Sequence, residues 1–100
     1  MIITKVEGLR DPFLLQENGV YYLYGTGSGD GIAVAVSKDM KSWEWPQGKE
    51  MYVAMHKDDS YGEKWFWAPE VYNVNGRYLM YFSGNEKIRA AWSDSPTGPF

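Results

Sequence analysis

The sequence predicts an all-β chain assembled from a repeated antiparallel sheet, and three observations carry that reading. Asn18-Gly19-Val20-Tyr21-Tyr22-Leu23-Tyr24 returns as Asn75-Gly76-Arg77-Tyr78-Leu79-Met80-Tyr81, and Pro12 returns at the same offset as Pro69. Ile32-Ala33-Val34-Ala35-Val36-Ser37 returns as Ile88-Arg89-Ala90-Ala91-Trp92-Ser93, one residue short of that offset, so the intervening loop has lost a position. No stretch of the chain has a convincing helical period. A fixed repeat with strand-like content means stacked or radially arranged β units.

Each unit is expected to be a four-strand sheet. The apolar run Phe13-Leu14-Leu15-Gln16 has the character of a strand buried on both faces, and Glu17-Asn18-Gly19 follows as a hairpin signal, because Asn-Gly tolerates positive φ. Residues 20–24, rich in aromatic and β-branched side chains, make the second strand. Four glycines among residues 25–31 predict a flexible loop. A third strand follows over 31–37, and Ser37-Lys38-Asp39-Met40-Lys41-Ser42-Trp43-Glu44 turns the chain toward an edge strand around Met51-Tyr52-Val53. The second unit repeats the plan at 69–74, 77–83 and 87–92, and Ser95-Pro96-Thr97-Gly98-Pro99-Phe100 is a turn leading toward a fourth strand that the sequence does not reach. Residues 1–100 therefore read as part of one domain, with one unit at about 9–55 and a truncated second at about 66–100.

Composition narrows the function classes. Aromatics make up 17% of the chain, and Tyr and Trp pair a flat apolar face with a polar handle, which suits sheet packing and stacking on sugar rings. Most of the eight tyrosines fall within strand patterns and are expected to pack between sheets. A net charge of −3 with interspersed signs leaves no basic stripe for nucleic acid or membrane lipid. The absence of cysteine excludes disulfides and thiolate metal sites. No segment approaches the ~20 apolar residues of a spanning helix, so a soluble chain is expected, with its compartment open between cytoplasm and exterior.

Arg10-Asp11-Pro12-Phe13, the turn at 37–43, Trp67-Ala68-Pro69-Glu70-Val71 and Ser95-Pro96-Thr97-Gly98-Pro99-Phe100 occur in an order and spacing that resembles glycoside hydrolase family 43. The resemblance runs from Leu9 to Phe100 and implies two blades of a five-bladed β-propeller belonging to an inverting glycosidase, active on arabinose- or xylose-containing glycans. It places Asp11 as the general base, Trp67 and the Ala68 backbone against the sugar, and Thr26 with the glycines after it at the pocket rim. It also implies a pKa-modulating aspartate in a third blade and an acid glutamate in a fourth, beyond these residues. No cofactor is implied, although a metal ion in the central channel of a longer parent is compatible with the family.

Glu70 follows its proline whereas Asp11 precedes its own, so strand alternation aims the two side chains oppositely, and Glu70 is read as a structural carboxylate bonded by loop backbone. Trp67 reads equally well as a plug between blades. His56, the lone histidine, and Asp58-Asp59 lack metal-ligand spacing and read as an exposed loop between blades. The competing function is a non-catalytic carbohydrate-binding or structural propeller segment. Either way, the partners expected are a carbohydrate and the remaining blades or, through the open apolar faces at 20–24 and 77–81, further copies of the chain. With a base but no opposing acid, these residues alone are expected to be inactive.

Overall fold

The computed structural model describes residues 2–3, 9–28, 31–48, 51–56, 67–84 and 87–100. Nine strands are present among them: β1 (Ile2–Ile3), β2 (Arg10–Glu17), β3 (Val20–Ser28), β4 (Gly31–Ser37), β5 (Trp43–Glu44), β6 (Val53–His56), β7 (Trp67–Val74), β8 (Arg77–Gly84) and β9 (Lys87–Ser93). They form two antiparallel sheets. One has the order β1-β5-β4-β3-β2, with β6 also paired to β4, and the other has the order β7-β8-β9.

The hairpins of both units turn through the same residues. Asn18 and Asn75 lie at φ 51° and 53°, and Gly19 and Gly76 at 78° and 87°, the two consecutive positive values that make Asn-Gly the favoured two-residue connection. After β4, the Ser37 hydroxyl donates to the Ser42 carbonyl at 2.6 Å and accepts the Met40 N–H at 2.9 Å. The Asp39 carboxylate takes the Lys41 and Ser42 amides at 2.8 and 2.9 Å. Those amide bonds, Ser42's foremost, hold the Asp39 carboxyl below the usual carboxylate range. The cap recurs in the second unit, where Ser93 Oγ accepts the Ser95 amide at 3.1 Å.

The first sheet departs from the expected four strands in three places. Its outer position is shared: β5 pairs with the C-terminal part of β4 through Val36 and Glu44, while β6 pairs with the N-terminal part through Gly31, Ile32 and Ala33. Met51 and Tyr52 precede β6 rather than forming it, although the Tyr52 carbonyl already accepts the Val34 amide at 3.0 Å. The expected glycine loop over 25–31 is largely strand, because β3 runs to Ser28 and β4 begins at Gly31. Glycine serves there to admit close neighbours. A Cβ on Gly25 would sit 2.9 Å from the Leu9 Cβ, and one on Gly31 would sit 1.9 Å from the Met55 carbonyl oxygen. His56 is likewise not in an exposed loop; it closes β6, half-buried and paired with Gly31. Asp58 and Asp59 lie outside the described residues.

The sheets pack face to face around Tyr24, Ile32, Val34, Ala54 and Met55 of the first and Val71, Met80 and Phe82 of the second. Tyr24, Ile32, Val34, Met55, Val71 and Met80 are all fully buried, a contribution of about 1.5–3 kcal/mol for each large side chain removed from water. The C-terminal turn crosses to the first sheet instead of continuing beside β9. Phe100 is buried in the shared core and its amide bonds the Ala54 carbonyl at 2.9 Å, while the Tyr24 hydroxyl donates to the Pro96 carbonyl.

Equivalent positions of the repeat have unequal burial. Tyr24 and Ile32 are 0% exposed, yet their counterparts Tyr81 and Ile88 are 43% and 86% exposed. The pattern follows from packing front to back: the second sheet covers the face of the first, while its own corresponding face, with Tyr72, Val74 and Trp92, has no third sheet upon it among the described residues. A contact of this kind propagates around an axis, as blades do.

At the far ends of β2 and β7 a polar latch ties the sheets together. The Glu17 carboxylate accepts a bond from Asn73 Nδ2 at 2.7 Å and another from the Tyr78 hydroxyl. The Glu17 bond is the main cause that pushes the Tyr78 phenol from 10.0 up to about 12, with burial adding to it. Burial, followed by the neighbouring Tyr22, Tyr78 and Glu17, raises Tyr24 as well. The unfolded chain releases the Tyr78 proton near pH 10.0 and the folded protein near 12, so this stabilisation is complete below the first value and is lost as pH climbs through the second. Tyr78→Phe should therefore flatten the fall of the thermal midpoint across that alkaline window. An unchanged slope would show that the latch contributes nothing to it.

Candidate active site

The two innermost strands start with the same irregularity. In β2, Arg10 pairs with Thr26 and Phe13 with Tyr24, so three steps on one strand oppose two on the other; in β7, Trp67 pairs with Ser83 and Glu70 with Tyr81, giving the same surplus residue. These are β-bulges, which re-aim side chains and are concentrated beside active sites. Within each bulge a non-glycine residue takes positive φ: Asp11 at 49° and Ala68 at 49°. Both precede a proline, a position normally confined to φ near −120°, so the same unfavourable backbone is built twice. Strain of this sort persists only where the surroundings enforce it.

β2 and β7 lie side by side, and the Glu17–Asn73 bond joins their C-terminal ends. Their N-terminal ends, which carry Asp11 and Trp67-Ala68, consequently share the opposite rim. Asp11 and Ala68 are exposed there, whereas Pro69 is fully buried and anchors its bulge in the core. Asp11, Trp67 and Ala68 thus each stand at the N-terminal end of one of these two strands; the Trp67 side chain lies outside the described part. Thr26 pairs directly with Arg10, next to Asp11, and its Oγ1 is buried without a hydrogen-bond partner. Buried hydroxyls are rarely left so, which makes this rim polar and incompletely satisfied.

Glu70 is exposed and accepts a bond from the Tyr72 hydroxyl at 2.5 Å, while the preceding loop expected to bond it lies outside the described residues. That bond is the first cause raising the Tyr72 phenol, followed by burial and the Glu70 charge. Sequence reasoning missed the paired left-handed residues at 11 and 68. The available signal was the common offset of the residues preceding Pro12 and Pro69, which links Asp11 to Ala68 rather than to Glu70. Among the described residues, no group of three or more His, Cys, Asp or Glu side chains is placed to hold a metal ion. Nor is any helix among them long and apolar enough to cross a membrane.

Two sheets packed front to back, with strained bulges opening both innermost strands on one rim, are neighbouring blades of a β-propeller. The family model of the glycosyl hydrolases family 43 matches residues 5–100, and the chain belongs to that family. An endo-1,4-beta-xylanase structure from Bacteroides thetaiotaomicron VPI-5482 superposes with a TM-score of 0.83 at 40% identity, covering 93% of this chain and 32% of that one. An extracellular exo-alpha-(1->5)-L-arabinofuranosidase of Cellvibrio japonicus is 31% identical over 83 residues, 80% of this chain and 23% of the relative. A 1,2-beta-oligomannan phosphorylase of Thermoanaerobacter sp. is 31% identical over 96 residues, 90% of this chain and 29% of the relative. The chain thus spans from under a quarter to about a third of the length of these proteins.

Proposed function

We propose that the chain is the base-bearing part of an inverting glycosidase acting on arabinose- or xylose-containing glycans, with Asp11 as the general base. The observation that carries this reading is the pairing of Asp11 with Ala68. The same bulge and the same φ occur in both units, yet only the first places a carboxylate on it, exposed at the rim.

Inversion requires one carboxylate to take a proton from water and a carboxylic acid about 6.5–9.5 Å away to protonate the departing oxygen. Asp11 supplies the first group. The acid and the pKa-modulating carboxylate belong, in this reading, to later blades of a five-bladed ring, the third of which would cover the apolar face around Tyr72, Tyr81 and Trp92. Trp67 offers an apolar platform to the sugar ring and the Ala68 backbone a polar contact beside it. Thr26 is better understood as a support of the rim, because its hydroxyl is buried and its strand pairs with the one that carries Asp11. The xylanase and arabinofuranosidase relatives favour pentose glycans.

Proton NMR of the first-formed sugar, with the complete propeller acting on an aryl α-L-arabinofuranoside or β-D-xyloside, tests the mechanism. Inverted configuration is expected, and a retained configuration would overturn it. The phosphorylase relative gives a reason to run the reaction with inorganic phosphate as well. Formation of a sugar 1-phosphate in place of free sugar would replace water by phosphate as the nucleophile.

A further inference from the structure

A concave site lies away from the Asp11 rim, toward the β5 edge of the first sheet, on the face that carries Tyr22 and Val36. It is a cavity of about 390 Å³ whose lining includes Tyr22, Glu44, Trp45, Pro46, Gln47 and Thr97. Its volume falls within the roughly 300–1,000 Å³ typical of small-ligand sites. Tyr22, Val36 and Glu44 are successive partners across β3, β4 and β5, so one row of side chains, about 5 Å apart, crosses the sheet into it. Three strand spacings, about 14 Å, separate β5 from β2. A ligand of one or two sugar rings held here would leave the Asp11 rim open.

The turn beside the cavity is built at a conformational cost. Trp45-Pro46-Gln47-Gly48 closes with the Gly48 amide on the Trp45 carbonyl at 2.8 Å, and Gln47 takes φ 66°. Position three of such a turn favours glycine or asparagine. Gln47 has neither the freedom of the first nor the short side chain of the second. A long amide is therefore kept at a strained position on the cavity wall, where a glycine would fold more easily.

We propose that this cavity is a secondary binding site for a neutral glycan segment, separate from the catalytic rim. Tyr22 and Pro46 present apolar surface to the ring faces, with Trp45 buried behind them in the core, while the Glu44 carboxylate, the Gln47 amide and the Thr97 hydroxyl provide both acceptors and donors for sugar hydroxyls. A neutral polyol uses donors and acceptors together, whereas a cation would use only the acceptors. Such a site would hold a polymer beside the enzyme while a different stretch of it occupies the rim.

The test is a titration of this chain with arabino-, xylo- and galacto-oligosaccharides, followed through its backbone amide NMR signals. Saturable shifts at Gln47, Gly48 and Thr97 are expected with at least one series, leaving the Asp11 and Ala68 amides in place. Gln47→Gly should bind that oligosaccharide at least fivefold more weakly while its thermal midpoint stays level or rises, which separates loss of binding from loss of folding. Glu44→Gln, which keeps the side-chain shape, should weaken binding in the same direction. Shifts confined to Asp11 and Ala68, no shifts at millimolar sugar, or Gln47→Gly binding as tightly as the parent would each overturn the proposal. Tighter binding of tetramethylammonium at the same signals would overturn it too, by making this a cation site. None of these outcomes depends on Asp11, so the glycosidase reading stands or falls independently.

Discussion

Asp11→Asn, introduced where these blades form part of the complete propeller, should lower hydrolysis of an activated aryl glycoside by about 10²–10⁴-fold, the usual contribution of a positioned general base. The substitution isolates the chemistry because of the backbone it sits on. Asp11 lies at φ 49°, and asparagine is one of the few residues that adopts this region readily, so the bulge keeps its shape while losing its proton acceptor. The second blade provides an internal control on strain, since Ala68 holds the same φ with only a methyl group. Asp11→Ala should accordingly also fold, and both variants should retain sugar affinity and thermal midpoint. Trp67→Ala should do the reverse, weakening binding with a smaller effect on turnover at saturation. An Asp11→Asn enzyme as active as the parent would remove Asp11 from the mechanism; one that failed to fold would assign the carboxylate a structural duty.

Much of this architecture is legible because the repeat is printed in the sequence twice. Asn18-Gly19 and Asn75-Gly76 mark the hairpins, and the alternation after each fixes which side chains enter the shared core. What stays hidden depends on contacts between distant segments. Nothing local to Asp11 or Ala68 announces a positive φ, since the proline that follows favours an extended backbone; the constraint comes from the bulge against β3 and β8. The division of the outer position between β5 and β6 is likewise set by what β4 can pair at each end. Phe100 looks like an aromatic on the way to another strand, yet its buried place beside Tyr24, with ring centroids 6.5 Å apart, depends on a sheet that lies far away in the sequence. Of the site, the carboxylate and its rim could be read from the order of motifs, whereas the pairing of a catalytic with a silent bulge could not.

The glycines between β3 and β4 show the same limit most sharply, and they yield the largest expected effect on stability. Composition alone suggests a supple loop, but Gly31 is fully enclosed and begins β4 at φ 149°, paired with His56. A methyl group there would meet the Met55 carbonyl oxygen at 1.9 Å and its carbon at 3.0 Å, both backbone atoms that cannot swing aside as a side-chain tip could. Gly31→Ala thus combines a disfavoured φ, about 1–3 kcal/mol, with overpacking of about 1–3 kcal/mol more. Relief requires β6 to move off β4, which would draw Ala54 and Met55 out of the core and release Phe100, whose amide is bonded to the Ala54 carbonyl. A loss of about 2–6 kcal/mol is a large part of the 5–15 kcal/mol that holds a typical domain together. Chemical denaturation of the Gly31→Ala chain should show a strongly lowered midpoint, and the amides at β6 should lose their protection from hydrogen exchange before those of the β7-β8-β9 sheet. Gly19→Ala gives the comparison: its φ of 78° is also unfavourable, but no atom lies within 4 Å of the added methyl, so only the backbone part of the cost remains. If the two variants were destabilised equally, the close approach of β6 to Gly31 would not be what fixes that residue as glycine.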